Sequence, residues 1–261
     1  KAIKYFEKGY NIFITGPGGT GKSFCIKYIR ENYPDKNIAV TATTGISAVL
    51  LEGQTLHSWA SICFGEDTAE WIHSKMNKTQ RLRWIKTDVL IIDEISLLTP
   101  ELFEKLEYLA RLTRKNNEPF GGLQLVLSGD FLQLPCINSK KFCFQSPIWN
   151  KVLRKIVYFH KIHRQTNKEF QNALNYLRLG RVTNPIKKML RSRKNVDLKN
   201  NYGILPTKLF SLNSDVEAIN KKELLKLKNE TNAHLYTYVA TVKLPPKIKK
   251  LIKIKKNRVD Y

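Results

Sequence analysis

Cysteine, long apolar runs and, in the second part, acidic side chains are all scarce in this 261-residue sequence. The four cysteines (Cys25, Cys63, Cys136, Cys143) fall at no disulfide-framework spacing. That argues against a small secreted scaffold and for a reduced, intracellular setting. Cys136, Cys143, His160 and His163 miss the usual zinc-ligand spacings, so zinc is not expected. No apolar run approaches the roughly 20 residues of a membrane-spanning helix, and no membrane partner is expected. No signal peptide is visible, and the first residue is Lys1 rather than Met, so the sequence reads as part of a longer one. There is no internal repeat.

The shortage of acid is local. Residues 1–150 carry 18 Lys+Arg against 15 Asp+Glu, whereas residues 151–261 carry 27 against 7. A near-neutral first part followed by a strongly basic second part suits a polyanion partner, although a solvated lysine-rich surface would look the same.

The most informative stretch is Gly16-Pro17-Gly18-Gly19-Thr20-Gly21-Lys22-Ser23. It follows a short apolar strand (residues 11–15) and opens a helix (24–30), with the G-x-x-x-x-G-K-S spacing of a phosphate-binding loop. Glycines let backbone N–H groups curl around a triphosphate, and the helix N-terminus behind them favours the anion. Lys22 is then expected to reach the β- and γ-phosphates, and the Ser23 hydroxyl to bind Mg²⁺. The pattern predicts binding of a nucleoside triphosphate.

Uniformly apolar strands recur at 37–41, 88–92 and 123–127, alternating with helices at 46–51 and 100–114. Thr99 stands as the cap of the latter helix and Pro100 at its first position. Such alternation predicts a parallel sheet covered on both faces. Residues 65–87 read as a small polar insertion rather than a core element. Further on, 152–159 reads as a strand, 167–179 as an amphipathic helix stopped by Gly180, 207–211 as a strand and 213–228 as a helix. Lysines dominate 243–258.

Asp93-Glu94 closes an apolar strand about 70 residues after the loop. There the first carboxylate suits Mg²⁺ and the second suits activation of the attacking water. Gln133, after the next strand, lies on the same carboxyl edge of the sheet and is placed to sense the γ-phosphate.

Together these segments resemble the petite-integration-frequency (PIF) family of superfamily 1 DNA helicases. The resemblance rests on Gly16 to Ser23, Thr43-Thr44-Gly45, Gly53-x-Thr55-x-His57-Ser58, Asp93-Glu94-Ile95-Ser96 and Pro119-Phe120-Gly121-Gly122. Gly129-Asp130-Phe131-x-Gln133-Leu134-Pro135 and His163-Arg164-Gln165 complete it. It implies an ATP-dependent, 5′-to-3′ helicase acting on single-stranded and duplex DNA, in replication, repair, recombination or telomere maintenance, and working as a monomer. It also implies that Thr44, His57 and Ser58 contact single-stranded DNA, with Trp59 or Phe64 stacking on a base or, equally, Trp59 packing in the core. Residues 62–86 would correspond to an insertion that helps split the duplex, and Arg164 to an arginine finger at the start of a second domain.

The sequence departs from the family in three places. A glutamine-containing adenine-reading segment would precede Lys1. Two late family motifs, one with a second arginine, do not occur in 205–261, nor does an SH3-like insertion. The expected architecture is therefore a P-loop NTPase: a first RecA-like domain at 1–160 and a partial, basic second one at 161–261. An AAA-type ATPase would usually carry Asn where Gln133 stands, and a binder of nucleotide and DNA that does no unwinding is the other alternative.

Overall fold

A computed structural model describes residues 1–63, 66–137, 139–194, 196 and 207–238. Phe64 and the 243–258 stretch lie outside the described residues. The chain divides into two compact units, Lys1–Lys194 and Asn195–Tyr261.

In the first unit, helix α1 (Ala2–Glu7) leads to strand β1 (Ile12–Thr15), then helix α2 (Lys22–Asn32), β2 (Ile38–Ala42), α3 (Gly45–Leu50), the short β3 (Gln54–Thr55) and α4 (Leu56–Ala60). Next come α5 (Ala69–Lys75), α6 (Lys78–Lys86), β4 (Val89–Asp93), α7 (Pro100–Arg114), β5 (Gln124–Gly129), α8 (Trp149–Val152) and β6 (Lys155–Tyr158). Helices α9 (Lys168–Arg178) and α10 (Asn184–Arg191) complete it. The strands form one sheet in the order β3-β2-β4-β5-β1-β6, and every pairing is parallel. This is an α/β architecture, a parallel sheet with helices on both faces.

Strand periodicity explains how both faces are filled. Ile12 and Ile14 of β1, Val89 and Ile91 of β4 and Val126 of β5 enter one core with Phe6 of α1 and Ile26 and Ile29 of α2. Their neighbours Phe13, Leu90, Ile92, Leu125 and Leu127 enter the opposite core with Phe103, Leu106 and Leu109 of α7. Each such side chain contributes about 1.5–3 kcal/mol on full burial. Thr99 caps α7 by accepting from the Leu102 N–H (3.2 Å), and Pro100 occupies its first turn, where a missing donor costs nothing.

Three expectations are corrected. The 65–87 segment is not a surface insertion. Ile72 and Met76 at α5 and Trp84 of α6 are buried in the larger core, and both helices pack against α7. The first compact unit runs past residue 160 to Lys194, because β6 pairs with β1 and α9 is tied back to the end of β5. Finally, 207–211 is not a strand, since no neighbouring strand hydrogen-bonds to it among the described residues.

In the second unit, α11 (Asn213–Thr231) is a 19-residue helix with no buried residue. Among the described residues, no helix is long and apolar enough to cross a membrane.

Candidate active site

Strand β1 delivers the chain into the glycine loop. Gly16 has φ 143°, and a Cβ there would stand 2.2 Å from the carbonyl oxygen of Phe159, so nothing larger than glycine fits. On the other side, a Cβ on Gly19 (φ 76°) would stand 2.5 Å from the Arg164 Cβ. The His163 and Arg164 N–H groups donate to the Gly19 carbonyl at 2.7 and 3.3 Å. Within the loop, the Thr20 hydroxyl donates to the Pro17 carbonyl (2.9 Å, buried). Gly21, in the left-handed region at φ 93°, opens α2 with its first-turn N–H groups unspent on any side-chain cap. That end of an 11-residue helix favours an anion.

Lys22 starts α2 and turns back, its Nζ donating to the Gly16 and Pro17 carbonyls at 2.7 and 3.0 Å. Burial lowers its pKa, opposed by the carboxylates of Asp130, Asp93 and Glu94. Asp93 ends β4 and is buried, which raises its pKa, while the Ser128 hydroxyl, the Glu94 N–H and Lys22 pull the other way. Glu94 follows at φ 55°, ψ 47°, a left-handed conformation that a glutamate adopts at a cost. Burial and then the neighbouring Asp93 charge raise the Glu94 pKa, which makes its carboxylate a stronger base. The Thr43 hydroxyl donates to the Glu94 carbonyl (2.9 Å), locking the ends of β2 and β4 together.

Lys22, Ser23, Asp93, Glu94, Gln133 and Arg164 line one cleft of about 470 Å³ with Gly18, Gly19 and Gly21. Pro17 lies in the loop itself and contributes its carbonyl to Lys22. Gln133 reaches the loop, its Nε2 4.0 Å from where a Cβ on Gly18 would be. Among the described residues no cluster of three His, Cys, Asp or Glu could hold a metal. The oxygen donors Ser23 and Asp93 share the cleft, a donor set that fits Mg²⁺ arriving with phosphates rather than a closed protein cage.

The sequence-expected DNA contacts fare differently. Thr44 caps α3, accepting from the Ser47 N–H at 3.2 Å. Ser58 is exposed, and His57 is half-buried with its pKa lowered by that burial. Trp59 as a base-stacking residue is a correction. It is 2% exposed and packs on Trp84, ring centroids 4.4 Å apart. Sequence reasoning named Asp130 and His163 only as motif residues without a role, and missed Arg178. His163 lines the cleft, and Asp130, 1% exposed, is paired with Arg178. Gly129-Asp130 was visible as a motif, but nothing distinguished Arg178 from other basic residues.

A glycine loop between β1 and α2, an Asp-Glu pair closing β4 and a glutamine after β5, on one carboxyl edge of a parallel sheet, define a P-loop NTPase with a RecA-like core. More narrowly, the chain belongs to the PIF1-like helicase family, whose profile matches residues 2–188. It is 38% identical to the ATP-dependent DNA helicase RRM3 of Saccharomyces cerevisiae, over 94% of this chain and 35% of that protein. It is 36% identical to the human ATP-dependent DNA helicase PIF1, over 84% of this chain and 35% of that protein. Among solved structures, the Pif1 helicase from Candida albicans superimposes with a TM-score of 0.82 at 35% identity, covering 99% of this chain and 59% of that one. A Bacteroides Pif1 helicase in complex with ADP-AlF3 and single-stranded DNA gives 0.80 at 30% identity, covering 94% and 59%. The chain thus spans about a third of the length of these two curated relatives.

Proposed function

We propose that this chain carries the ATP-hydrolysing core of a 5′-to-3′ DNA helicase, which moves along single-stranded DNA and opens duplexes. The observation that carries this reading is the convergence of Lys22, Ser23, Asp93, Glu94, Gln133 and Arg164 on one cleft. ATP would place its phosphates on the loop and the α2 N-terminus, and Lys22 would exchange the Gly16 and Pro17 carbonyls for phosphate oxygens. An apolar cavity of about 620 Å³ shares Gly21, Phe24 and His163 with the cleft and suits the base. Ser23 and Asp93 would hold Mg²⁺, which supplies charge neutralisation at the phosphates when bound. Glu94 takes a proton from the attacking water, Gln133 reads the γ-phosphate and Arg164 stabilises its developing charge.

The DNA-binding reading of Thr44, His57 and Ser58 is supported by their place beyond the carboxyl ends of β2 and β3, on the same sheet edge as the cleft. The basic 151–261 part would add phosphate contacts, and the residues beyond Lys194 would begin a second RecA-like domain, with the nucleus or mitochondrion as the setting in a eukaryote and a monomer as the working unit. A strand-displacement assay with 5′-tailed and 3′-tailed duplexes tests this function. A chain with a complete second domain is expected to unwind the 5′-tailed substrate alone, whereas residues 1–261 by themselves should bind Mg²⁺-ATP and displace neither strand. ATP and DNA binding without displacement by the longer chain would leave only the binder.

A further inference from the structure

Where β5 ends, Asp130 lies 1% exposed, and a buried carboxylate needs partners. It has a forked one. Arg178, the last residue of α9, donates from Nε to Oδ2 and from Nη2 to Oδ1, each at 2.7 Å, with its own side chain 16% exposed. The third arm, Nη1, reaches the Tyr158 hydroxyl at the end of β6 (3.4 Å). Asp130 in turn organises the loop that carries Gln133. Its Oδ1 accepts the Leu132 N–H (3.2 Å), its carbonyl accepts the Gln133 N–H (2.9 Å), and its Oδ2 is 3.5 Å from the Gln133 Nε2. Arg178 also closes a second circuit. The chain leaves β6, docks on Gly19 through His163 and Arg164, and enters α9, whose far end Arg178 returns to the sheet.

We propose that Arg178 is a positioning residue for ATP hydrolysis, holding the Gln133 loop in register with the glycine loop through Asp130. The inference rests on the reading of the cleft as an ATP-hydrolysis site. The planar, permanently charged fork fixes the Asp130 carboxylate in angle as well as distance, which a lysine would not do. With that carboxylate fixed, Gln133 is presented to the cleft from one direction. An interaction of this kind orders the transition state more than the bound substrate, so its loss falls on kcat rather than on KM.

The test measures ATP hydrolysis by the chain, with Mg²⁺ and oligo-dT, in wild type, Arg178→Ala, Gln133→Ala and the double variant. Arg178→Ala is expected to lower kcat about tenfold or more, since small misplacements of catalytic groups cost that much, with KM changed less than about threefold. In the Gln133→Ala background the same substitution should cost almost nothing more, because both act through one group. Equal losses in the two backgrounds would overturn the proposal, as would wild-type kcat in Arg178→Ala. Should the alanine variant not fold, Arg178→Lys carries the test, with kcat reduced severalfold expected and wild-type kcat contradicting. A wild-type chain that hydrolyses no ATP would overturn the underlying site as well, whereas an active wild type with independent losses overturns this inference alone.

Discussion

The rings of Trp59 and Trp84 lie 4.4 Å apart, both buried, joining the short helix after β3 to the second helix of the 69–86 segment. Arg83 fastens the same junction by donating to the Ser58 and Trp59 carbonyls at 3.0 and 2.8 Å. Trp59→Ala should therefore destabilise the fold by about 3–5 kcal/mol through cavity formation. Trp59→Phe, which keeps most of the volume, should leave single-stranded DNA affinity unchanged. Denaturant unfolding and fluorescence anisotropy measure the two, and a selective loss of DNA affinity in Trp59→Phe would restore a stacking role.

Gly16 gives a sharper steric case. With φ at 143° and a Cβ position 2.2 Å from the Phe159 carbonyl oxygen, Gly16→Ala must push apart β1 and the segment that follows β6. Titration with a fluorescent ATP analogue should show binding weakened at least tenfold, as expected when the cradle N–H groups leave their geometry. Unchanged affinity would mean that the loop tolerates a different backbone path.

Much of this fold could be read from local pattern. Strands buried on both faces of a parallel sheet must be apolar throughout, so 88–92 and 123–127 announced themselves, and Thr99-Pro100 marked its helix start through capping chemistry. Residues that meet across the sheet left no such trace. Ile72, Met76 and Trp84 recur in a polar, helix-like stretch, but whether they meet core or solvent depends on α7, which follows later in the chain. The Asp130–Arg178 pair joins residues 48 positions apart, and an arginine in so basic a segment carries no local mark of a buried partner. The glycine loop, Asp93, Glu94 and Gln133 stand out in the sequence because the phosphate chemistry proposed for them fixes their types and order, and the fold brings them to one cleft. The role of Trp59 was not, because a tryptophan suits core and base stacking equally.

The same ion pair predicts a pH dependence of stability. Burial alone would raise the Asp130 pKa, but the Arg178 guanidinium, the Leu132 N–H and Lys22 outweigh it and hold the carboxyl below its usual range. A depressed folded-state value means the contribution is complete above the unfolded pKa of about 3.9 and is lost as pH falls through the lower folded value. Asp130→Asn should thus be about 3 kcal/mol less stable than wild type at pH 7, as for a buried pair losing one partner. Urea unfolding should show that gap constant from about pH 7 to 5 and closing below about pH 4. A gap that widens on acidification would contradict the assignment.

The charge imbalance makes a separate prediction. Residues 151–261 carry 27 Lys+Arg against 7 Asp+Glu, so binding to oligo-dT should fall steeply with salt. A slope of log affinity against log salt of about −3 or steeper is expected if four or more phosphates are contacted. A slope near zero would leave the basic part a solvated surface.

On the proposed reading the cleft hydrolyses ATP, with Lys22 gripping phosphate and Glu94 activating water. Phosphate release from Mg²⁺-ATP, measured beside nucleotide binding in wild type, Lys22→Ala and Glu94→Gln, tests it most directly. Wild type should release phosphate, Lys22→Ala should fail to bind, and Glu94→Gln should bind as wild type while losing about 10²–10⁴-fold in rate, the usual weight of a general base. Hydrolysis by Glu94→Gln at the wild-type rate would contradict the account.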